Sequence, residues 1–209
     1  MSVTEPTILI VPGLRDAVAQ HWQTLLEARL RAAGRPVAGV PPMGREDLDC
    51  AARVGAIERA ARSVEGPLVV VAHSGGCIMV AHWAKKTRRA VRGALLATPP
   101  DFEKPMPAGY PTIEALRAGG WLPVPREPLP FPSVVAASRN DPLGRFERVA
   151  ELARAWGSRL DDIGLVGHLN PASGFGAWPQ AETYVAELAA LRARAEQALT
   201  RMAQRAAIY

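Results

Sequence analysis

Ser74 stands in the run Ala72-His73-Ser74-Gly75-Gly76, directly after the apolar stretch Leu68–Ala72. A serine hydroxyl is a weak nucleophile until a base takes its proton, so its chemistry depends on where the chain puts it. A strand that runs straight into a helix through a small-x-Ser-x-Gly turn lifts the hydroxyl clear of the sheet edge. That reversal leaves no room for large side chains two residues before and two after the serine, and Ala72 and Gly76 meet the demand. Ser74 itself is expected to hold strained backbone dihedrals. The helix that begins there aims its first N–H groups at the reacting centre, which makes the Gly75 N–H a candidate oxyanion donor. The plainer reading of the same residues is a strand-glycine-helix turn with serine as N-cap.

An activated serine needs an imidazole within hydrogen-bond reach, and the chain offers His21, His73, His82 and His168. His73 is adjacent to Ser74, and neighbouring side chains near a strand end point to opposite faces. His82 lies about 12 Å down the helix axis from Ser74, at 1.5 Å per residue. His168, in Gly167-His168-Leu169-Asn170, follows the last predicted strand and reaches the same sheet edge as Ser74. His21 is a weaker alternative, better suited to packing or hydrogen bonding at the first helix. The acid should fall between serine and histidine in the chain, at another strand's carboxyl end. Asp101 and Asp141 both qualify. Asp141 is preferred because Asn140-Asp141-Pro142 is a turn that can fix a carboxylate one strand from His168.

The elements that must position these residues alternate between short β-branched runs and longer helical patterns, which implies a parallel sheet covered on both faces. Strands are predicted at Thr7–Pro12, Pro36–Val40, Leu68–Ala72, Val91–Ala97, Ser133–Ser138 and Arg159–Leu165. Helices are predicted at Gln20–Ala33, at Leu48–Ser63 with Asp47 as N-cap, after Ser74, at Phe146–Trp156, and from about Gln180 to the C-terminus. The expected architecture is one α/β domain spanning residues 1–209, with sheet order 2-1-3-4-5-6. If the second strand lies outside the first, the switch point falls between strands one and three. The loop Gly13-Leu14-Arg15 then faces Ser74, and the Leu14 N–H becomes the second candidate oxyanion donor. Between the fourth and fifth strands, Pro99–Pro132 is a proline-dense excursion with one helical patch at Thr112–Ala118, readable as a lid or as a passive loop. Trp121 and Leu122 within it, and Arg15 opposite, are candidate substrate contacts.

Composition narrows the classes further. Hydrophobic residues make up 48% and charged residues 22% of the 209, the balance of an ordinary globular protein. No stretch has the length of a membrane span, and Met1–Thr7 lacks the basic start of a signal peptide, so a cytoplasmic location is expected. Two cysteines, Cys50 and Cys77, imply no disulfide framework, and no Cys/His cluster has metal-ligand spacing. No cofactor is expected. The net charge of +5 comes largely from arginines scattered along helical stretches, which reads as solvated faces and not as a nucleic-acid patch. The expected partner is therefore a small-molecule substrate, with the chain a monomer or homodimer.

Taken together, Ile10-Val11-Pro12-Gly13-Leu14, the pair His21-Trp22 followed by Gln23, His73-Ser74, and Ala137-Ser138-Arg139-Asn140-Asp141-Pro142 resemble one family nearly end to end. It is the small serine-hydrolase family of retinoblastoma-binding protein nine and its bacterial YdeN-type relatives, and the stretch from Gly167 to Pro179 is its most specific mark. The resemblance implies a compact α/β-hydrolase with little or no cap, a triad of Ser74, Asp141 and His168, and action on carboxyl esters or related amides. The chain departs from the family pattern at Ala72, where glycine is commoner, and at Gly75, where many relatives carry a larger residue. The rival expectation is a fold that acts as a binding or interaction module with little turnover.

Overall fold

The computed structural model describes residues 5–15, 18–44 and 46–191. Six strands form one sheet: β1 (Thr7–Val11), β2 (Val37–Gly39), β3 (Leu68–His73), β4 (Val91–Ala97), β5 (Ser133–Ala137) and β6 (Arg159–Asp162). Their order is β2-β1-β3-β4-β5-β6, and every pair is parallel. This is the α/β-hydrolase arrangement expected from the sequence, and among the described residues no large cap domain is added to it.

Side chains alternate across the pleat, so the continuous apolar runs of the strands feed two separate cores. Leu9, Val11, Val70, Ala72, Leu96 and Val135 enter the core under α2 (Cys50–Arg62), α3 (Gly75–Ala84) and α5 (Phe146–Ala155). Ile8, Ile10, Val69, Val71, Leu95 and Val134 enter the core under α1 (Trp22–Ala32) and a helix over residues 180–191. The central strand β3 is wholly buried, as a strand covered on both faces must be. The edge strand β6 is largely exposed, which is why its polar sequence Arg-Leu-Asp-Asp is tolerated there.

Several boundaries differ from the sequence reading. Helix α2 starts at Cys50, two residues later than expected, because Asp49 Oδ1 accepts from Ala52 N at 3.0 Å and so supplies the N-cap. Asp47 instead accepts from Asp49 N. Helix α1 is capped by His21, whose Nδ1 accepts from Gln23 N at 3.2 Å. Strand β6 stops at Asp162, where the Asp162 carboxylate turns the chain by accepting from Gly164 N. The terminal helix is described only to residue 191, and its expected continuation to Tyr209 lies outside the described residues.

The excursion between β4 and β5 divides in two. Its middle contains α4 (Ile113–Ala118), capped by Thr112, and packs Leu116, Trp121 and Val124 into the core under α2 and α3. Its first third, through Phe102, Met106, Gly109 and Tyr110, instead lines the cavity over Ser74.

Candidate active site

Three strand ends build the site. At the end of β3 the chain reverses into α3 within one residue, leaving Ser74 at φ 55° and ψ −132°. A non-glycine residue holds such dihedrals only where its surroundings fix them. Here the Ser74 N–H donates to Ala97 O at 3.0 Å, tying the turn to β4. The close crossing of α3 over β1 requires glycine at 76, since a Cβ there would lie 2.6 Å from Pro12 O. Gly13 approaches from the β1 loop, and a Cβ on it would lie 3.1 Å from Ser74 Cβ.

Gly75 also has a reason in this chain. A Cβ on it would lie 2.8 Å from Leu14 Cγ, so the Leu14 side chain occupies the space a larger residue 75 would need. Leu14 and Gly75, the two candidate oxyanion residues, are thus packed against each other beside Ser74.

His168 stands between Ser74 and Asp141. Its Nε2 is 2.7 Å from Ser74 Oγ, and its Nδ1 is 2.8 Å from Asp141 Oδ2. A carboxylate can only accept, so Nδ1 carries the proton and Nε2 is left to accept from the serine hydroxyl. The other Asp141 oxygen accepts from Leu143 N at 2.8 Å. Both side chains are almost completely buried. The loops that carry them interlock: Asn140 Oδ1 accepts from Gly167 N at 2.7 Å, and Ser173 Oγ accepts from His168 N at 3.0 Å. Asp101, the alternative acid, points away and accepts from Arg148 Nε at 3.1 Å.

The remaining histidines fall as follows. His82 donates to Trp121 O at 3.1 Å, away from the serine. His73 cannot act on Ser74, but it is part of the site: its Nε2 is 2.9 Å from His168 O, and its ring lies 5.0 Å from the His168 ring. His21 packs on the far side of His73, at 4.6 Å between ring centroids. Burial pushes the His21 imidazole down to about 4, and a charge on His168 pushes the same way. Burial, reinforced by His168 and His21, holds His73 well below the ordinary histidine range. Both rings are therefore neutral at pH 7. Their contact with the site was hidden from sequence spacing, which turned His73 away from Ser74 and kept His21 as the weaker base but could place neither ring beside His168.

Over Ser74 opens a cavity of about 500 Å³. Its wall is mainly apolar, with Leu14, Leu48, Phe102, Met106, Tyr110 and Leu143. Arg15 lies on this wall, with its guanidinium 3.9 Å from the Tyr110 ring centroid and hydrogen-bonded to Gly109 O. Trp121 does not line it. That ring is fully buried, its indole N–H donates to Leu48 O at 2.7 Å, and it packs edge-on against Phe102. The expectation of Trp121 as a substrate contact is therefore corrected: it sits behind the wall and supports Phe102, which does face the cavity. Leu122 is likewise packed against the core. Among the described residues no three His, Cys, Asp or Glu side chains converge to hold a metal ion. No helix among them is long and apolar enough to cross a membrane.

The sequence model of the Serine hydrolase family matches residues 8–187, which takes in every element of the site. The chain belongs to the Serine hydrolase family. Among solved structures, this serine hydrolase is similar to a YdeN-like hydrolase from Pectobacterium atrosepticum, with 29% identity over 88% of this chain and 91% of the other, at a TM-score of 0.71. The ydeN gene product of B. subtilis matches at 20% identity over 88% and 98% of the two chains, with a TM-score of 0.68. Est1E from Butyrivibrio proteoclasticus, in a structure with ferulic acid bound, shares the fold at 14% identity over 79% and 82%, with a TM-score of 0.62. No curated protein sequence matches the chain.

Proposed function

We propose that this serine hydrolase cleaves small carboxyl esters or related amides through an acyl-enzyme on Ser74. The reading rests on one observation, the unbroken line from Ser74 Oγ through His168 to the Asp141 carboxylate, with both hydrogen bonds under 3 Å. His168 Nε2 takes the hydroxyl proton as Ser74 Oγ attacks the carbonyl carbon. Asp141 holds the Nδ1–H tautomer and stabilises the imidazolium that forms. The Leu14 and Gly75 amides receive the developing oxyanion. His168 then protonates the departing alcohol or amine, and later draws a proton from the water that releases the acid. The mainly apolar wall of the cavity suits an uncharged acyl or alcohol group.

Ser74→Ala tests the assignment. Its kcat on short-chain ester substrates should fall by about 10³-fold or more, the scale of losing a triad nucleophile. A fluorophosphonate probe should label the parent protein at Ser74 and leave the variant unlabelled. Esterase activity that survives in Ser74→Ala, or a parent serine inert to the probe, rejects the proposal.

A further inference from the structure

His73 is the last residue of β3, and its side chain follows the pleat onto the face covered by α1. There it is 4% exposed and enclosed by aromatic rings. His21 lies 4.6 Å away, Trp22 meets it edge-on at 5.9 Å, and the His168 ring lies at 5.0 Å. Its one hydrogen bond across this enclosure runs 95 residues along the chain, from Nε2 to the main-chain oxygen of His168. A carbonyl oxygen can only accept, so His73 carries its proton on Nε2.

The bond falls at a telling place. The His168 carbonyl belongs to the peptide that joins His168 to Leu169, and Leu169 is held at φ 49°. Leucine rarely adopts this left-handed region, because its Cβ crowds the neighbouring carbonyl. A relaxed Leu169 would rotate that peptide and swing the His168 imidazole with it. Leu169 is wholly buried in the core under α1, and its N–H, on the other side of the same peptide, donates to Val166 O at 3.0 Å. The donor that addresses that carbonyl is His73.

We propose that His73 is a positioning residue for His168: as the Nε2–H tautomer it pins the strained His168–Leu169 peptide, and so keeps the imidazole aimed at both Asp141 and Ser74. The inference rests on the hydrolase reading of Ser74 and His168. His21 contributes from behind. Its Nδ1 is occupied as the acceptor for Gln23 N, so the ring is neutral with its proton on Nε2, and it packs on His73 without bringing a charge. The nucleophile and the peptide that orients its base are thus governed by adjacent residues of one strand end.

Two variants separate positioning from packing. His73→Leu keeps an apolar side chain of similar bulk and removes the donor, whereas His73→Gln places an amide N–H at comparable reach. With both variants folded by thermal melting, kcat on a short-chain nitrophenyl ester should fall about 10²-fold in His73→Leu, the effect of a base misplaced by about 1 Å. KM should change little. The rate of fluorophosphonate labelling at Ser74 should fall in parallel, and His73→Gln should recover most of both losses. Parent-like kcat in folded His73→Leu overturns the proposal, as does equal loss in the two variants. Should His73→Leu fail to fold, nitrogen-edited NMR of the parent decides. A neutral His73 ring protonated on Nε2 supports the proposal, and an Nδ1–H tautomer or a charged ring at pH 7 overturns it. A parent protein that neither turns over esters nor takes the probe rejects the hydrolase reading, an outcome distinct from any difference between the variants.

Discussion

Two walls face each other across the Ser74 cavity, and their hydrogen bonds fasten different things. The turns after β5 and β6 are fastened atom to atom, through Asn140 Oδ1 to Gly167 N, Ser173 Oγ to His168 N, and His73 to His168 O. The excursion between β4 and β5 is tied as well, by Trp121 Nε1 to Leu48 O and by Cys50 N to Gly119 O, but these bonds reach none of Ser74, Asp141 and His168, and its shape rests on the buried Leu116, Trp121, Val124 and Phe131. Directional bonds fix the places of reacting atoms to within tenths of an ångström, whereas apolar packing fixes the shape of a surface. Damage to the first wall should therefore be read in kcat, and damage to the second in stability or KM.

Asp141→Asn should break this comparison most sharply on the catalytic side. With the amide unable to hold the Nδ1–H tautomer, kcat should drop about 10⁴-fold while the melting temperature moves little. Asp101→Asn, which loosens only the pair with Arg148, should keep kcat near that of the parent; a deep loss there would reverse the assignment of the acid.

Trp121→Ala is the opposite case. Removing a wholly buried indole should destabilise the fold by about 3–5 kcal/mol in denaturant titration, with kcat per folded molecule largely kept. A change in substrate preference without loss of stability would return Trp121 to the cavity.

Gly75→Ala acts between the two walls. Its new methyl must displace Leu14, so kcat should fall by roughly 10²-fold, the effect of disturbing one oxyanion donor. Leu14→Ala added to it should restore part of the loss, and a double-mutant cycle that shows no coupling would refute this account of the glycine.

The smallest effect is expected at Arg15. Its stacking on Tyr110 is an exposed contact worth about 0.5–1 kcal/mol, so Arg15→Ala should raise KM by about two- to fivefold with kcat unchanged.

The same contrast explains what could be read from the sequence. The strands followed from the apolar runs, and the sequence could bring Ser74, Asp141 and His168 to one edge because each follows a strand and parallel strands end together. Such positions obey spacing rules. Trp121 obeys none: a tryptophan in a proline-rich stretch can face a cavity or the core behind it, and only the packing of Phe102 and Leu48 decides which. His73 shows another limit. The alternation of faces correctly turned it away from Ser74, but spacing along β3 could not show that the His168 main chain would be waiting on the other face. Gly75 looked like a departure from its relatives until Leu14 was seen filling the space beside it.

Gln23 gives the crevice its floor. Helices α1 and α3 leave β1 and β3 toward opposite sides of the sheet, so neither covers the seam where those strands end. The Gln23 amide bridges it, donating to Val11 O and to Val71 O at 3.0 Å each. One nitrogen thereby adds a cross-strand tie at the end of the β1–β3 ladder, under the cavity. A glutamate of the same shape would set carboxylate oxygens against two carbonyl oxygens and prise the seam apart. The floor of the cavity is thus a joint braced twice, by the backbone pairing that runs to Val11 and Ala72 and by the reach of a single amide across its end.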